Sequence, residues 1–297
     1  MRVRAIAWLD GPDGGRWARP EALGVPLDDR GLRLADGIFE TVLVEAGRPR
    51  LLAEHLQRWR SSADLLGMEA PPGDVQLNGL IAMAIERVGL EARSCQGQHC
   101  GALRLNWSRG SMAPGCHGID LPPPGIPQPP HHFWLELRPA VPSFAPVRVI
   151  VSRTERRLAG SLLSRCKTFA YGAAIQARRE ARAAGADDAL LESTAGGLCC
   201  GTTANLLVRQ GAGWLTPPLA SGCLPGVMRG RALELRLAQE SPISRDDLAA
   251  SSGAVLLNSL GCRPISHLAG QPLRWVNDLE PSGGGLAERL WRRLLGA

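Results

Sequence analysis

Residues 164–171 read Ser-Arg-Cys-Lys-Thr-Phe-Ala-Tyr, and they contain the only lysine and the only tyrosine of the 297-residue chain. Of the 34 Lys and Arg residues together, every one except Lys167 is an arginine. An arginine guanidinium stays protonated, whereas a desolvated lysine amine can act as a nucleophile and form a Schiff base. Lys167 is therefore a candidate catalytic amine, and the alternative is a lysine left on the surface by chance. If Lys167 and Tyr171 lie on one helix, they share a face.

Two stretches further along the chain have the composition of anion-binding segments. Gly201-Thr202-Thr203-Ala204-Asn205 is a small, hydroxyl-rich turn before an apolar strand, and such turns direct N–H groups and hydroxyls toward anions. Residues 224–229, Leu-Pro-Gly-Val-Met-Arg, place Pro-Gly before a helical pattern, and the unpaired N–H groups of a helix start favour phosphate. Each of these segments is common in proteins, so neither alone is specific evidence of an anion-binding site.

Apolar periodicity around these segments predicts short strands mixed with helices. The predicted strands are 38–46, 102–108, 132–138, 146–152, 188–192, 198–200, 204–209, 213–216 and 254–258. The predicted helices are 52–67, 75–89, 168–184, 226–239 and a C-terminal helix from about residue 285. Because strict βαβ alternation is missing, the pattern indicates an α+β protein of two domains. We expect an N-terminal domain over 1–138, a Pro-rich linker over 139–146 and a C-terminal domain over 147–297.

The order of the motifs along the chain is more specific than any one of them. They are residues 29–31, 36–41, 55–58, 164–168, 184–191, 201–205, 216–218, 224–229 and 258–260. Together they resemble the class IV aminotransferases, the fold-type IV pyridoxal 5'-phosphate (PLP) enzymes. The resemblance implies a smaller N-terminal α/β domain, a larger C-terminal domain with a β-barrel-like core, a cofactor between the domains, and a homodimer.

The resemblance also assigns roles to individual residues. Lys167 would be the Schiff-base lysine and proton shuttle, Arg58 would bind the phosphate, and Tyr171 would lie beside the cofactor ring oxygen. An alternative for Arg58 is an ordinary charge on a helix surface. The residues expected at the cofactor are Arg58, Lys167, Tyr171, Cys200, Thr202, Thr203, Val227, Met228 and Ser259.

Cys200 departs from the family pattern. The family usually places a glutamate five residues before the asparagine that corresponds to Asn205, and that carboxylate keeps the pyridine nitrogen of PLP protonated. A neutral thiol is a poor counter-ion for a pyridinium, so the cofactor would be a weaker electron sink. Transamination depends on a strong sink, whereas an elimination can release electrons into a leaving group. Cys200 therefore favours a lyase, unless it abolishes PLP chemistry altogether.

Three functions remain open at this stage. The segment 106–111, Asn-Trp-Ser-Arg-Gly-Ser, resembles a signature of 4-amino-4-deoxychorismate lyase, which releases pyruvate and 4-aminobenzoate for folate biosynthesis. For that reaction Arg109 is expected to bind a substrate carboxylate, and Thr41 is a weaker candidate for the pocket. The alternatives are a branched-chain or D-amino-acid aminotransferase and a degenerate PLP-binding protein.

Composition narrows the classes of partner. The net charge is +6, but the arginines are dispersed among acidic residues, which argues against a nucleic-acid binder and suits a small anionic substrate. No apolar run approaches the ~20 residues of a membrane span. The eight cysteines form no C-x-x-C pair, so we expect no metal site. These features predict a cytoplasmic enzyme.

Overall fold

The computed structural model describes residues 5–11, 14–90, 100–113, 115–123, 126–211, 213–275 and 285–296. The chain forms two compact units. The first contains the chain up to Val141 together with Lys167–Ala170, and the second contains Pro142–Cys166 and the chain from Tyr171 onward. The change between units at Val141 falls inside the predicted linker. The lysine segment belongs to the first unit, which corrects its predicted place in a C-terminal domain of 147–297.

In the described part of the first unit, six strands form one antiparallel sheet in the order β2-β1-β6-β5-β3-β4. The strands are β1 (Ile6–Leu9), β2 (Arg16–Ala18), β3 (Gly37–Glu45), β4 (Arg48–Pro49), β5 (Cys100–Ser108) and β6 (His132–Pro139), and the helices are α1 (Arg30–Leu34), α2 (Leu52–Leu65) and α3 (Asp74–Val88). Side chains alternate between the two faces of a strand. Leu103 and Leu105 therefore join the core with Trp59 of α2 and Leu77 of α3. The residue between them, Arg104, lies on the opposite face.

The second unit is built around a β-barrel. Its strands are β7 (Val147–Arg157), β8 (Asp188–Ser193), β9 (Leu198–Gly201), β10 (Asn205–Gln210), β11 (Gly213–Thr216), β12 (Ala238–Glu240), β13 (Ala254–Asn258), β14 (Gly261–Leu268) and β15 (Gln271–Pro272), and its helices are α4 (Leu162–Arg165), α5 (Gly172–Ala183), α6 (Val227–Glu234), α7 (Arg245–Ala250) and α8 (Leu286–Leu294). Six strands close into a ring in the order β10-β13-β14-β7-β8-β9, and the Asn205–Cys200 pair completes it. Apolar side chains such as Val149, Leu206 and Ile265 form the core. The α+β class and the barrel-like core are confirmed.

Two predicted helices have different bounds. The helix predicted over 168–184 begins only at Gly172, because the segment before it is extended along β3. Lys167 and Tyr171 therefore do not share a helix face. The helix predicted over 226–239 ends at Glu234, since Arg236 adopts a left-handed conformation with φ of 53°. The chain then enters β12, which pairs in parallel with β11.

No helix within the described ranges is long and apolar enough to cross a membrane.

Candidate active site

Backbone hydrogen bonds to β3 hold the lysine segment in the first unit. The Phe39 N–H donates to the Lys167 carbonyl at 2.8 Å, and the Phe169 N–H donates to the Gly37 carbonyl at 2.9 Å. Lys167 is half-buried, and its Nζ lies 4.2 Å from the centroid of the Phe39 ring. An ammonium over an aromatic face is attracted by the ring quadrupole. The only amine side chain of the sequence is therefore positioned by a sheet and by an aromatic contact.

The same face of the sheet carries a second cation. Arg104 of β5 lies directly opposite Thr41 of β3, and its Cζ is 3.5 Å from the centroid of the Phe39 ring. Its Nε donates to Asn106 Oδ1 at 2.7 Å, which fixes the guanidinium. Thr41, the predicted substrate-pocket residue, is thus the cross-strand neighbour of an arginine with a fixed orientation. Sequence analysis did not single out Arg104, although the alternation of Leu103 and Leu105 around it shows that it cannot join the core.

Arg58 of α2 faces a buried carboxylate on the other side of the sheet. Its Nε and NH2 donate to the two oxygens of Glu40 at 2.7 and 2.6 Å, and His55 Nδ1 donates to Glu40 Oε2 at 2.7 Å. Burial alone would raise the pKa of Glu40, but the Arg58 charge and the His55 hydrogen bond outweigh it and lower that pKa to about 2. Arg58 is therefore a buried, oriented guanidinium, which excludes the interpretation as an ordinary surface charge.

Arg109 binds partners within the protein, which argues against the prediction that it binds a substrate carboxylate. It is 7% exposed, and its Nε donates to Asp36 Oδ2 at 2.9 Å. Its NH1 and NH2 donate to the carbonyls of Gly67 and Leu66 at 2.9 and 2.8 Å. These carbonyls lie at the C-terminal end of α2, where helices leave acceptors without partners. The S-R-G-S arginine thus ties this helix end to Asp36.

The hydroxyl-rich turn of the second unit is organised by an ion pair. Thr202 Oγ1 donates to Asp188 Oδ1 at 2.6 Å, and Arg178 NH2 donates to Asp188 Oδ2 at 2.9 Å. Arg178 Nε also donates to Thr202 Oγ1 at 3.1 Å. The Thr202 hydroxyl is therefore occupied as both donor and acceptor, so it positions the turn and does not itself face an anion.

A cavity of about 230 Å³ brings three predicted residues together. Its lining consists of Tyr171, Ala174, Ile175, Arg178, Arg179, Arg182, Thr202 and Thr203. The three arginines lie on α5, and the described residues that line the cavity include no acidic one, although Arg178 is paired with Asp188 behind it. A concave site with this charge suits an anionic group.

The start of α6 presents donors without acceptors. In the part of the chain that the structure describes, the N–H groups of Val227 and Met228 make no hydrogen bond, as expected in a first helical turn. Both residues are buried, and buried N–H groups need a partner. Gly226, directly before α6, lies so close to the Asn205 side chain that an added Cβ would be 2.0 Å from Asn205 Oδ1. Asn205 Nδ2 in turn donates to the Leu224 carbonyl at 2.9 Å.

Ser259 follows β13 in a turn that Asn258 organises. Asn258 Oδ1 accepts from the Leu260 N–H at 2.8 Å, and its Nδ2 donates to the Thr203 carbonyl at 3.4 Å. One side chain therefore links the Ser259 turn to the Thr203 turn. The predicted residues Thr203 and Ser259 belong to one hydrogen-bonded framework.

Cys200 is buried in an apolar cluster. It packs with Ala177, Leu191, Cys199 and Cys223. Hydrogen bonds to Cys200 and Cys223, together with burial, raise the pKa of Cys199, whereas the hydrogen bond with Cys199 and the charges of Arg229 and Arg157 lower the pKa of Cys223 to about 7. The position where the family carries a carboxylate thus has a thiol in apolar surroundings.

The chain is similar to known proteins of one family. The family model described as amino-transferase class IV matches residues 37–268. A bifunctional aminodeoxychorismate lyase / D-amino acid transaminase of Mycobacterium tuberculosis is 29% identical over 246 residues, which cover 73% of this chain and 75% of that protein. The PLP-bound form of a hypothetical aminotransferase from Mycobacterium tuberculosis is 25% identical, with a TM-score of 0.75 and 98% of both chains covered.

A second solved structure supports the fold. The fold IV transaminase CpuTA1 of Curtobacterium pusillum has a TM-score of 0.79 at 23% identity and covers 99% of this chain and 100% of its own. The family model spans well over half of the chain, and the motifs on which the resemblance depends lie mostly inside that span. The chain therefore belongs to the class IV aminotransferases, and the predicted cofactor, pyridoxal 5'-phosphate, is confirmed with the family.

Proposed function

We propose that this protein is a PLP-dependent 4-amino-4-deoxychorismate lyase that releases pyruvate and 4-aminobenzoate. The observation that carries the proposal is the buried Cys200 at the position of the usual glutamate. A thiol in apolar surroundings gives the pyridine nitrogen no anionic partner, which weakens the electron sink that transamination needs. In the lyase reaction the ring becomes aromatic, and the electrons leave with the enolpyruvyl group.

The residues in the structure fit the phosphate of this cofactor. The unsatisfied N–H groups of Val227 and Met228 at the start of α6 are suitable donors to a phosphate. Arg58, oriented by Glu40 in the first unit, is the guanidinium that the family resemblance assigns to the cofactor phosphate. Ser259 is the third expected contact and Tyr171 the expected contact to the ring oxygen. When bound, PLP supplies the sink for electrons released at the substrate carbon that carries the amine.

The other steps belong to residues of this chain. Lys167 holds the cofactor between turnovers and then takes the proton from the carbon that carries the amine. Arg104, fixed on Asn106 beside Phe39, binds one carboxylate of the dianionic substrate in place of Arg109. The C–O bond to the enolpyruvyl group breaks, and protonation of the released enolpyruvate gives pyruvate.

Amino transfer to a 2-oxo acid is the second candidate function. The relative from Mycobacterium tuberculosis is described as both an aminodeoxychorismate lyase and a D-amino acid transaminase. The two reactions use the same cofactor and the same lysine, so one site can support both. This candidate requires a second substrate, the oxo acid, whereas the lyase does not.

The decisive experiment supplies the PLP-loaded protein with 4-amino-4-deoxychorismate and no oxo acid. We expect 4-aminobenzoate and pyruvate in equal amounts, measured by fluorescence and by coupled reduction of pyruvate. Lys167→Ala should lower the rate by at least roughly 10²-fold, because it removes the proton-transfer group.

The outcomes separate the candidates. A protein that binds PLP but forms no 4-aminobenzoate refutes the lyase, and transfer of an amino group from amino acids to an oxo acid would then establish the second candidate. A protein that binds no PLP refutes both and supports a degenerate role.

We also propose that the enzyme acts as a cytoplasmic homodimer in folate biosynthesis. The family resemblance supports the dimer, and light scattering after size-exclusion chromatography tests it. A molar mass equal to that of one chain at micromolar concentration would overturn the dimer.

A further inference from the structure

The last helix, α8, is held in place by one apolar face. Ala287, Leu290, Trp291 and Leu294 recur at helical spacing and are buried. Trp291 is fully buried, and its ring meets that of Phe144 edge-on at a centroid distance of 5.2 Å. The helix packs on β14 and on α6. It is therefore an integral part of the second unit.

Trp291 makes one polar contact that packing does not require. Its Nε1 donates to the Asn258 carbonyl at 3.0 Å. Asn258 is the last residue of β13 and immediately precedes Ser259. The Asn258 side chain also accepts from the Leu260 N–H and donates to the Thr203 carbonyl. The Trp291 indole therefore binds the residue that links the turns of Thr203 and Ser259.

The same helix packs against α6, the helix that begins with the predicted phosphate donors. The first turn of α6 carries the unsatisfied N–H groups of Val227 and Met228, and α8 packs on α6. One helix thus contacts both α6, which carries these donors, and Asn258, the residue before Ser259. Within the second unit, the spacing between these two groups depends on where α8 sits.

We propose that α8, through Trp291, positions the phosphate-binding groups of the cofactor site, so that docking of α8 and binding of phosphate are energetically coupled. Trp291 is a positioning residue, because it contacts Asn258 and not the cofactor. The proposal rests on PLP as the cofactor but not on the choice between lyase and aminotransferase. Coupling is reciprocal, so phosphate binding must also stabilise α8.

A matched pair of variants tests the proposal. Trp291→Phe keeps an aromatic ring but removes the hydrogen bond to Asn258. Trp275→Phe is the control, because Trp275 is also buried in this unit and its Nε1 donates to a backbone carbonyl, that of Ile265, at 2.8 Å. We expect Trp291→Phe to weaken PLP binding to the apoprotein about fivefold, as for one lost hydrogen bond. Trp275→Phe should change it less than about twofold, even where both lower the melting temperature.

Inorganic phosphate serves as a second probe, because it can bind the predicted phosphate-binding groups but cannot bond to Lys167. Its dissociation constant should rise in Trp291→Phe and not in Trp275→Phe. Equal effects of the two variants, or an unchanged affinity in Trp291→Phe, would overturn the proposal. Failure of the wild-type protein to bind PLP would instead overturn the proposed function.

Hydrogen exchange of the wild-type protein gives a test that needs no variant. Amides of α8 should exchange more slowly when PLP is bound, whereas those of α7 serve as an internal reference. Equal exchange in α8 with and without PLP would contradict the coupling.

Discussion

Removing the charge of Glu40 should destabilise the first unit strongly and in a pH-dependent way. Glu40 is 1% exposed and bound by Arg58 and His55, and its pKa falls from 4.5 to about 2 on folding. A difference of about 2.5 units at 1.36 kcal/mol each amounts to roughly 3 kcal/mol at neutral pH. This agrees with the cost of about 3–5 kcal/mol for breaking a buried ion pair. We therefore expect Glu40→Gln to lower the free energy of unfolding by roughly 3 kcal/mol at pH 7.

The sign of the pH dependence follows from the direction of the shift. A carboxyl group whose pKa is lowered by folding stabilises the protein above its unfolded value, and that contribution is lost as the pH falls through the folded value. The difference between wild type and Glu40→Gln should therefore be constant above about pH 5 and shrink between about pH 4.5 and pH 2. At pH 3.5 it should be about 2 kcal/mol.

Urea unfolding of the apoprotein from pH 7 to pH 3 measures this difference. Glu21→Gln is the control, because Glu21 is exposed and surface substitutions change stability by less than about 0.5 kcal/mol. The argument is refuted if Glu40→Gln is as stable as Glu21→Gln at pH 7, or if the difference does not depend on pH.

Three further substitutions test separate parts of the site. Gly226→Ala should weaken PLP binding about tenfold, because its Cβ would overlap a fixed amide, whereas Gly230→Ala has open space and should bind PLP normally in the same titration. Arg104→Gln should raise KM for the substrate about 10- to 100-fold without changing PLP affinity. Arg138 is exposed, so Arg138→Gln should leave KM unchanged. Equal KM values in the two variants would contradict the contact between Arg104 and the substrate carboxylate. Cys200→Glu should speed amine transfer from an amino acid to PLP about tenfold and change the absorption spectrum, and a variant with unchanged rate and spectrum would eliminate the argument from the missing carboxylate.

Strongly periodic segments were predictable from the sequence, since their pattern reflects burial. Strand 38–46 occurs as Gly37–Glu45, and helix 75–89 occurs as Asp74–Val88. The start of the helix after Lys167 was not predictable. Residues 168–171 have no local signal against a helix, and backbone hydrogen bonds to the distant strand β3 keep the segment extended.

The two arginines considered for substrate binding show the same limit of prediction from sequence. Arg109 stands in a recognisable motif, yet its guanidinium is used by Asp36 and by two carbonyls at the end of α2. Arg104 stands in no motif, and its position beside Phe39 follows from the register between β3 and β5. Motif membership therefore did not indicate which arginine lies against the Phe39 ring that Lys167 also contacts.

The sequence by itself determined the family, the cofactor and the candidate amine, because a lone lysine and an ordered set of motifs are properties of the chain. Tertiary structure alone decided that Lys167 joins the first unit, that Glu40 orients Arg58, and that Trp291 supports the turn of Ser259. Each of these contacts joins residues that are distant along the chain. These contacts stabilise the protein only when folding brings the partners together in surroundings of low dielectric, where a charge or donor without a partner is costly. The local sequence pattern around either partner does not indicate such a contact.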